Sequence, residues 1–195
     1  MPMESVRCLG RMIMALCTQP PLGLAKVSQH MAAGSMLPHT RATVCSMALE
    51  AGATHLLLID SDMTYPADAA HRLLDADRPF IAANATTRRP PIRWTAKGKD
   101  GLEIESHKEA GLTKANSCGL AVCLVEARVY QSIPAPRFNF EYTEDGWIGE
   151  DVFFCRAAIL AGFQPMIDNA LSREIGHVGG YTYTHEDLAG VVDAG

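Results

Sequence analysis

The sequence has no long apolar run, no Cys-x-x-Cys pair and no excess of positive charge. A membrane-spanning helix needs about 20 consecutive apolar residues, and no stretch of the chain approaches that length. The N-terminus has no signal-peptide pattern and the six cysteines are scattered, so we expect reduced core thiols, no zinc site and a cytoplasmic protein. The net charge of −5 gives no general basic field and does not indicate nucleic-acid binding.

Apolar strands alternate with amphipathic helices along the chain. The length of 195 residues and the 48% hydrophobic content predict one domain over 1–195, with a C-terminal tail from about 181. Helices are predicted at 4–17, 38–50, 66–74, 126–132 and 151–161, strands at 27–31, 56–59, 80–83, 120–125 and 164–167, and loops at 84–116 (with a small hairpin) and 134–149. This alternation predicts an α/β fold whose largely parallel sheet is flanked by helices.

A pair of carboxylates follows the most apolar of these strands. Asp60 and Asp62 come directly after Leu56–Ile59, and the i, i+2 spacing puts both side chains on one side of an extended chain. Ligands of open α/β sheets bind at the carboxyl ends of strands, and two adjacent acids repel each other unless a cation holds them. The pair therefore indicates a divalent-metal site. A helix cap stays open as an alternative, and so does the D-x-D-x-T nucleophile motif of haloacid-dehalogenase-type phosphatases, in which Asp60 would attack phosphate.

Two further motifs carry candidate chemistry. Glu150 and Asp151 follow a glycine-rich turn that contains Trp147, and they open a predicted helix. The helix dipole stabilises acids in the first turn, so one of the two could have a purely structural role. The dipole also keeps a carboxylate ionised and able to accept a proton. His177 lies between glycines that allow a bound group to approach the backbone, and an imidazole beside carboxylates suits manganese better than calcium.

Together these motifs resemble the metal-dependent glycosyltransferases of the GT-A fold, near the family 2 type and its small phage and bacterial relatives. The resemblance runs from about 34 to 180 and depends on the order of the motifs, since a D-x-D alone is weakly specific. The phosphatase motif would be expected near the start of its fold with a lysine after it, whereas no lysine follows Lys114 here. The matching pieces are Arg41 on a helix, the strand into Asp60–Met63, the turn at 117–120, Trp147-x-Gly149-Glu150-Asp151 and His177-x-Gly179.

The resemblance implies transfer of a sugar from a nucleoside-diphosphate donor, with a UDP-sugar expected, to an acceptor hydroxyl. Dependence on Mn²⁺ or Mg²⁺ is expected. A well-placed Asp151 favours inversion at the sugar carbon, and retention stays open as the alternative. Asp62 and His177 would coordinate the metal, with Asp60 on the ribose or on metal-bound water, and Asp151, or failing that Glu150, would take the proton. Donor contacts are implied for Arg41, Asp60, Ser61, Arg88 and Arg89, and acceptor contacts for Gly119, Trp147 and Gly149.

The N-terminal region departs from the family pattern. Family members begin with a strand whose end holds the nucleotide base, whereas residues 4–17 predict a helix, so the first strand is expected to be missing. A strand at 12–17 is the other possibility. A missing strand leaves open a catalytically inactive nucleotide or carbohydrate binder. The acceptor is also open: a saccharide, a lipid-linked sugar, a protein, or a modified nucleobase in DNA contacted by segment 88–99, where a solvated loop accounts equally well for Arg88 and Arg89.

Overall fold

The computed structural model describes residues 1–88, 90–144, 146–179 and 182–185. The helices are α1 (Met3–Thr18), α2 (Leu37–Glu50), α3 (Ala69–Asp75), α4 (Ala127–Ser132), α5 (Glu150–Leu160) and α6 (Asn169–Ser172). The strands are β1 (His55–Ile59), β2 (Met63–Thr64), β3 (Phe80–Ala82), β4 (Leu112–Lys114), β5 (Val122–Glu126), β6 (Glu141–Thr143), β7 (Gly146–Ile148), β8 (Met166–Asp168), β9 (Gly176–Val178) and β10 (Thr182–Tyr183).

A mixed five-stranded sheet in the order β1-β5-β3-β8-β4 forms the centre of the fold. The prediction of a largely parallel sheet is wrong. Among the described strands of this sheet, β3 and β8 are the one parallel pair, while β1–β5, β5–β3 and β8–β4 are antiparallel. The reason is that β5 runs back between β1 and β3. A continuous apolar run indicates burial on both faces, and it carries no information about strand direction.

Both faces of this sheet are covered, as the apolar runs predict. Alternate side chains of β1 enter different clusters: Leu56 and Leu58 pack against α2, α4 and α5, whereas Leu57 and Ile59 pack against the cluster that contains α1 and α3. Strand β3 alternates in the same way, because successive residues of a strand point to opposite faces. All six cysteines are free and four of them are buried, which confirms the prediction of reduced core thiols.

The structure corrects the N-terminal and loop predictions. The predicted loop 84–116 contains β4, which pairs antiparallel with β8 at the edge of the central sheet. Residues 27–31 form no strand, since they are mostly exposed and have no strand partner, whereas the predicted helix at 4–17 is confirmed as α1. No strand precedes β1 in residues 1–54, all of which the structure describes. The predicted loop 134–149 contains the β6–β7 hairpin. His177 lies on β9, a strand that was not predicted and that pairs with β2.

No helix in the described part of the chain is both long enough and apolar enough to span a membrane.

Asn84 holds the long polar segment 84–116 against the sheet. Its side chain is fully buried and donates from Nδ2 to Ile104 O (2.8 Å) and to Ser106 Oγ (3.1 Å). Its Oδ1 accepts from the backbone N–H of Ala96 at 2.9 Å. A buried amide with this many partners fixes the loop because each partner would be left unpaired without it.

We expect Asn84→Ala to lower the free energy of unfolding by about 3 kcal/mol, because it leaves buried donors and acceptors unpaired at ~1–3 kcal/mol each. Urea denaturation followed by circular dichroism measures the change. Asn139→Ala is the matched control, since Asn139 is exposed and should tolerate the change. Equal stability of the two variants would contradict this role of Asn84.

Candidate active site at the carboxyl end of β1

The pairing of two short strands brings Asp62 and His177 together. Strand β2 follows directly after Asp62 and runs antiparallel to β9, with Met63 opposite His177. The backbone N–H of Val178 also donates to Asp62 O at 2.7 Å. As a result, His177 Nε2 lies 3.7 Å from Asp62 Oδ1, although the two residues are far apart in sequence. These are the two residues for which the sequence predicts a shared metal.

His177 is oriented by the backbone of a third segment. Its Nδ1 lies 2.7 Å from Thr86 O. A carbonyl oxygen accepts and never donates, so Nδ1 donates to it, and Nε2 is the ring atom that faces Asp62. Metal-binding histidines are commonly oriented by such a hydrogen bond from the other ring nitrogen to a carbonyl.

The separation of Asp62 and His177 is compatible with a cation between them. A distance of 3.7 Å is too long for a hydrogen bond. Two ligands that each lie ~2.1 Å from one cation are roughly 3.0 Å apart at a right angle and about 3.6 Å apart at 120°. Within the described residues, no group of three His, Cys, Asp or Glu side chains converges on a metal position. A cation here would take its other ligands from phosphate and water, as Mg²⁺ commonly does.

Arg41 joins Asp60 to Glu150. The guanidinium is 8% exposed; Nη2 donates to both oxygens of Asp60 (2.8 and 3.1 Å), and Nε donates to Glu150 Oε1 at 3.1 Å. Its Nη1 lies 3.4 Å from Leu120 O, in the turn before β5. The arginine therefore connects α2, the end of β1, the 117–120 turn and the start of α5. These contacts occupy most of the donors of Arg41, and the direct phosphate contact expected of it stays a prediction.

Glu150 and Asp151 open α5, and they differ in environment. Glu150 is 6% exposed; burial and the neighbouring Asp151 charge raise its pKa, although Arg41 opposes them. Asp151 is partly buried, accepts from the backbone N–H of Val152 at 2.7 Å, and has its pKa raised mainly by burial. Since Glu150 is occupied by Arg41, Asp151 is the better placed of the two to accept a proton from a ligand.

Gly149 makes room for Asp151. A Cβ atom at position 149 would lie 2.8 Å from Asp151 Oδ1. Gly119 is also tightly surrounded, since a Cβ there would lie 3.2 Å from Thr95 Oγ1. Close packing therefore explains why both positions are glycine. The acceptor contacts expected of Gly119 and Gly149 stay predictions.

The remaining predicted site residues are more exposed. Ser61 is exposed between the two aspartates. Trp147 on β7 is 75% exposed, three residues before Glu150, and its ring lies edge-to-face with Tyr142 at 5.2 Å. Arg88 pairs with Asp62, with Nη1 2.5 Å from Oδ2. Arg89 lies outside the described residues.

Two residues of the candidate site were not predicted from the sequence: Thr86, whose carbonyl orients His177, and Tyr142, whose ring contacts Trp147. Thr86 acts through its backbone carbonyl, which every residue type carries, so no sequence signal could have identified it. Tyr142 could have been found, because the Asp-Gly dipeptide at 145–146 between aromatic segments is a hairpin signal.

Comparison with known proteins adds a fold relationship. No protein-family model matches the chain, and no curated protein matches it either. A197 from STIV is among 16 chains of solved structures that do match. Its crystal structure aligns with a TM-score of 0.55 and 16% sequence identity, over 80% of this chain and 76% of A197. At this identity the likeness shows the fold alone.

We expect Arg41→Gln to lower the free energy of unfolding by about 3 kcal/mol at neutral pH, since it leaves Glu150 buried without its partner. Loss of Arg41 also raises the Glu150 pKa further. The folded Arg41→Gln variant then binds more protons than its unfolded chain. Its free energy of unfolding therefore falls as the pH rises above 4.5, the ordinary pKa of a glutamate. Denaturation at several pH values measures this slope.

The control is Arg156→Gln, because Arg156 is exposed and its pair with Glu141 is long at 3.9 Å. The double variant Arg41→Gln/Glu150→Gln should regain stability, and its free energy of unfolding should depend less on pH. A destabilisation of Arg41→Gln that stays constant between pH 4.5 and about pH 7 would contradict the assignment to Glu150.

Proposed function

We propose that the protein is a glycosyltransferase of the GT-A fold that transfers a sugar from a nucleoside-diphosphate donor to an acceptor hydroxyl. The observation that carries the proposal is the β2–β9 register, which brings His177 to Asp62 at the end of β1. Beside it, Arg41 connects Asp60 to the acidic start of α5. The fold that the chain shares with A197 is glycosyltransferase-like, and a fold of this kind agrees with the proposal.

Asp62 and His177 are proposed to hold Mn²⁺ or Mg²⁺. The Nε2 atom of His177 and the Asp62 carboxylate fit a cation that prefers nitrogen and oxygen ligands. Bound there, the cation would supply Lewis-acid stabilisation of the negative charge on the departing nucleoside diphosphate. Asp60 is assigned to the ribose or to metal-bound water, because Arg41 donates to both of its oxygens and lowers its availability as a direct metal ligand.

Asp151 is proposed as the general base that takes the proton from the acceptor hydroxyl. Its raised pKa makes it a stronger base than an exposed aspartate. Arg41 holds Glu150 as a positioning residue at the start of the same helix. One base acting on the incoming hydroxyl fits a single displacement with inversion. Ser61 and Arg88 are the proposed donor contacts on the aspartate side.

A saccharide hydroxyl is the acceptor class that we favour. The Trp147 and Tyr142 rings form an exposed apolar surface next to α5, and such surfaces suit the apolar face of a sugar ring. The hairpin 141–148 has acidic residues and no lysine or arginine, which disfavours a DNA phosphate backbone. In segment 88–99, Arg88 pairs with Asp62 and Arg93 pairs with Glu103, so these charges are partly neutralised.

The phosphatase alternative has less support. Both oxygens of Asp60 accept from Arg41, and these charge-assisted hydrogen bonds make the carboxylate a weaker nucleophile toward phosphorus.

We expect the protein to bind a UDP-sugar with Mn²⁺ and to release UDP in the presence of a saccharide acceptor. Calorimetry with a donor panel and a UDP-release assay measure the two steps. Asp62→Asn should abolish Mn²⁺-dependent binding. Asp151→Asn should keep binding but lower kcat by roughly 10²–10⁴, the usual contribution of a general base. In the wild type, kcat/KM should fall on the acid side with an apparent pKa above 3.8.

Asp68→Asn is the matched control, since Asp68 is exposed and its side chain makes no cap hydrogen bond to α3. Failure of every donor to bind or react, with Asp62→Asn indistinguishable from wild type, would refute the proposal. Phosphate release from a simple phosphoester that is lost in Asp60→Asn would instead establish the phosphatase.

A further inference from the structure

The carboxylate of Asp62 is shared between two neighbours. Arg88 Nη1 lies 2.5 Å from Oδ2, and His177 Nε2 lies 3.7 Å from Oδ1. The Asp62 side chain is 22% exposed, so its charge is only partly solvated. The Arg88 guanidinium supplies positive charge that stabilises this carboxylate.

A divalent cation and Arg88 would compete for Asp62. A cation bound by Asp62 and His177 would lie within a few ångströms of a guanidinium on the same carboxylate. Like charges at that distance repel strongly in a partly buried site. Arg88 therefore has to leave Asp62 before a cation can bind fully.

Arg88 is built to leave without disturbing the rest of the site. Its side chain is 52% exposed, so little packing is lost when it moves. The backbone just before it is fixed, because Thr86 bridges to Trp94 and its carbonyl accepts from His177 Nδ1. The Thr87 N–H also donates to Arg93 O at 2.9 Å. The side chain can thus exchange partners while the segment that orients His177 stays in place.

We propose that Arg88 is an exchange group: it neutralises Asp62 in the metal-free protein and moves to the donor diphosphate when cation and nucleotide bind together. This inference rests on the proposed function. A guanidinium suits a phosphate at close range because it donates two parallel hydrogen bonds. The exchange makes the cation alone a weak ligand and makes cation and nucleotide bind cooperatively.

The test is calorimetric titration of Mn²⁺ into the full chain, with and without UDP, for wild type, Arg88→Gln, Arg93→Gln and Asp62→Asn. Arg88→Gln should bind Mn²⁺ alone roughly three- to tenfold more tightly, since its competitor is gone. It should also bind UDP with Mn²⁺ more weakly than wild type, so that the cooperativity falls. Arg93→Gln, an exposed arginine of the same segment paired with Glu103, should behave as wild type.

The outcomes separate the two claims. If Asp62→Asn abolishes Mn²⁺ binding while Arg88→Gln binds Mn²⁺ no more tightly than wild type, the exchange is refuted and the metal site stands. If Arg93→Gln tightens Mn²⁺ binding as much as Arg88→Gln, a general charge effect replaces the exchange. If wild type binds no Mn²⁺ even with UDP, the metal site fails and the exchange fails with it.

Discussion

The carboxylates of Asp60, Glu150 and Asp151 lie close together at one end of the central sheet, and their mutual repulsion is the constraint on which the site depends. Arg41 offsets it for Asp60 and Glu150 through hydrogen bonds from a nearly buried guanidinium. The negative charge of Asp62 is balanced by Arg88, whose side chain is more exposed. One set of ion pairs is thus buried and the other is exposed. This difference divides the site into a fixed half that holds the proposed base and a more exposed half that holds the proposed cation ligands.

Much of the fold could be predicted from the sequence. Helices α1, α2 and α5 and strands β1 and β5 follow from apolar periodicity and from glycine and proline signals. Strand direction could not be predicted, because the apolar residues of β5 pack equally well in either direction. Short strands such as β2 and β9 were also missed, since two or three residues carry no measurable periodicity.

The site could be predicted in part. The spacing of Asp60 with Asp62 and the sequence of α5 identify the acids, but their arrangement in space depends on tertiary pairing. The contact between Asp62 and His177 requires the β2–β9 register, which no local pattern encodes. Arg41 was expected on phosphate, whereas its hydrogen bonds go to acids, one of them 109 residues away along the chain. Thr86 orients His177 through its backbone carbonyl, which every residue type has, so the sequence could not identify it.

The most direct measurement is a crystal structure of the protein with Mn²⁺ and UDP, using anomalous scattering to locate the metal. We predict one manganese peak at ~2.2 Å from Asp62 and from His177 Nε2, with Arg88 released onto the diphosphate. Manganese bound away from these two residues would contradict the proposed metal site. A manganese ion between them with the Arg88–Asp62 pair still intact would contradict the exchange.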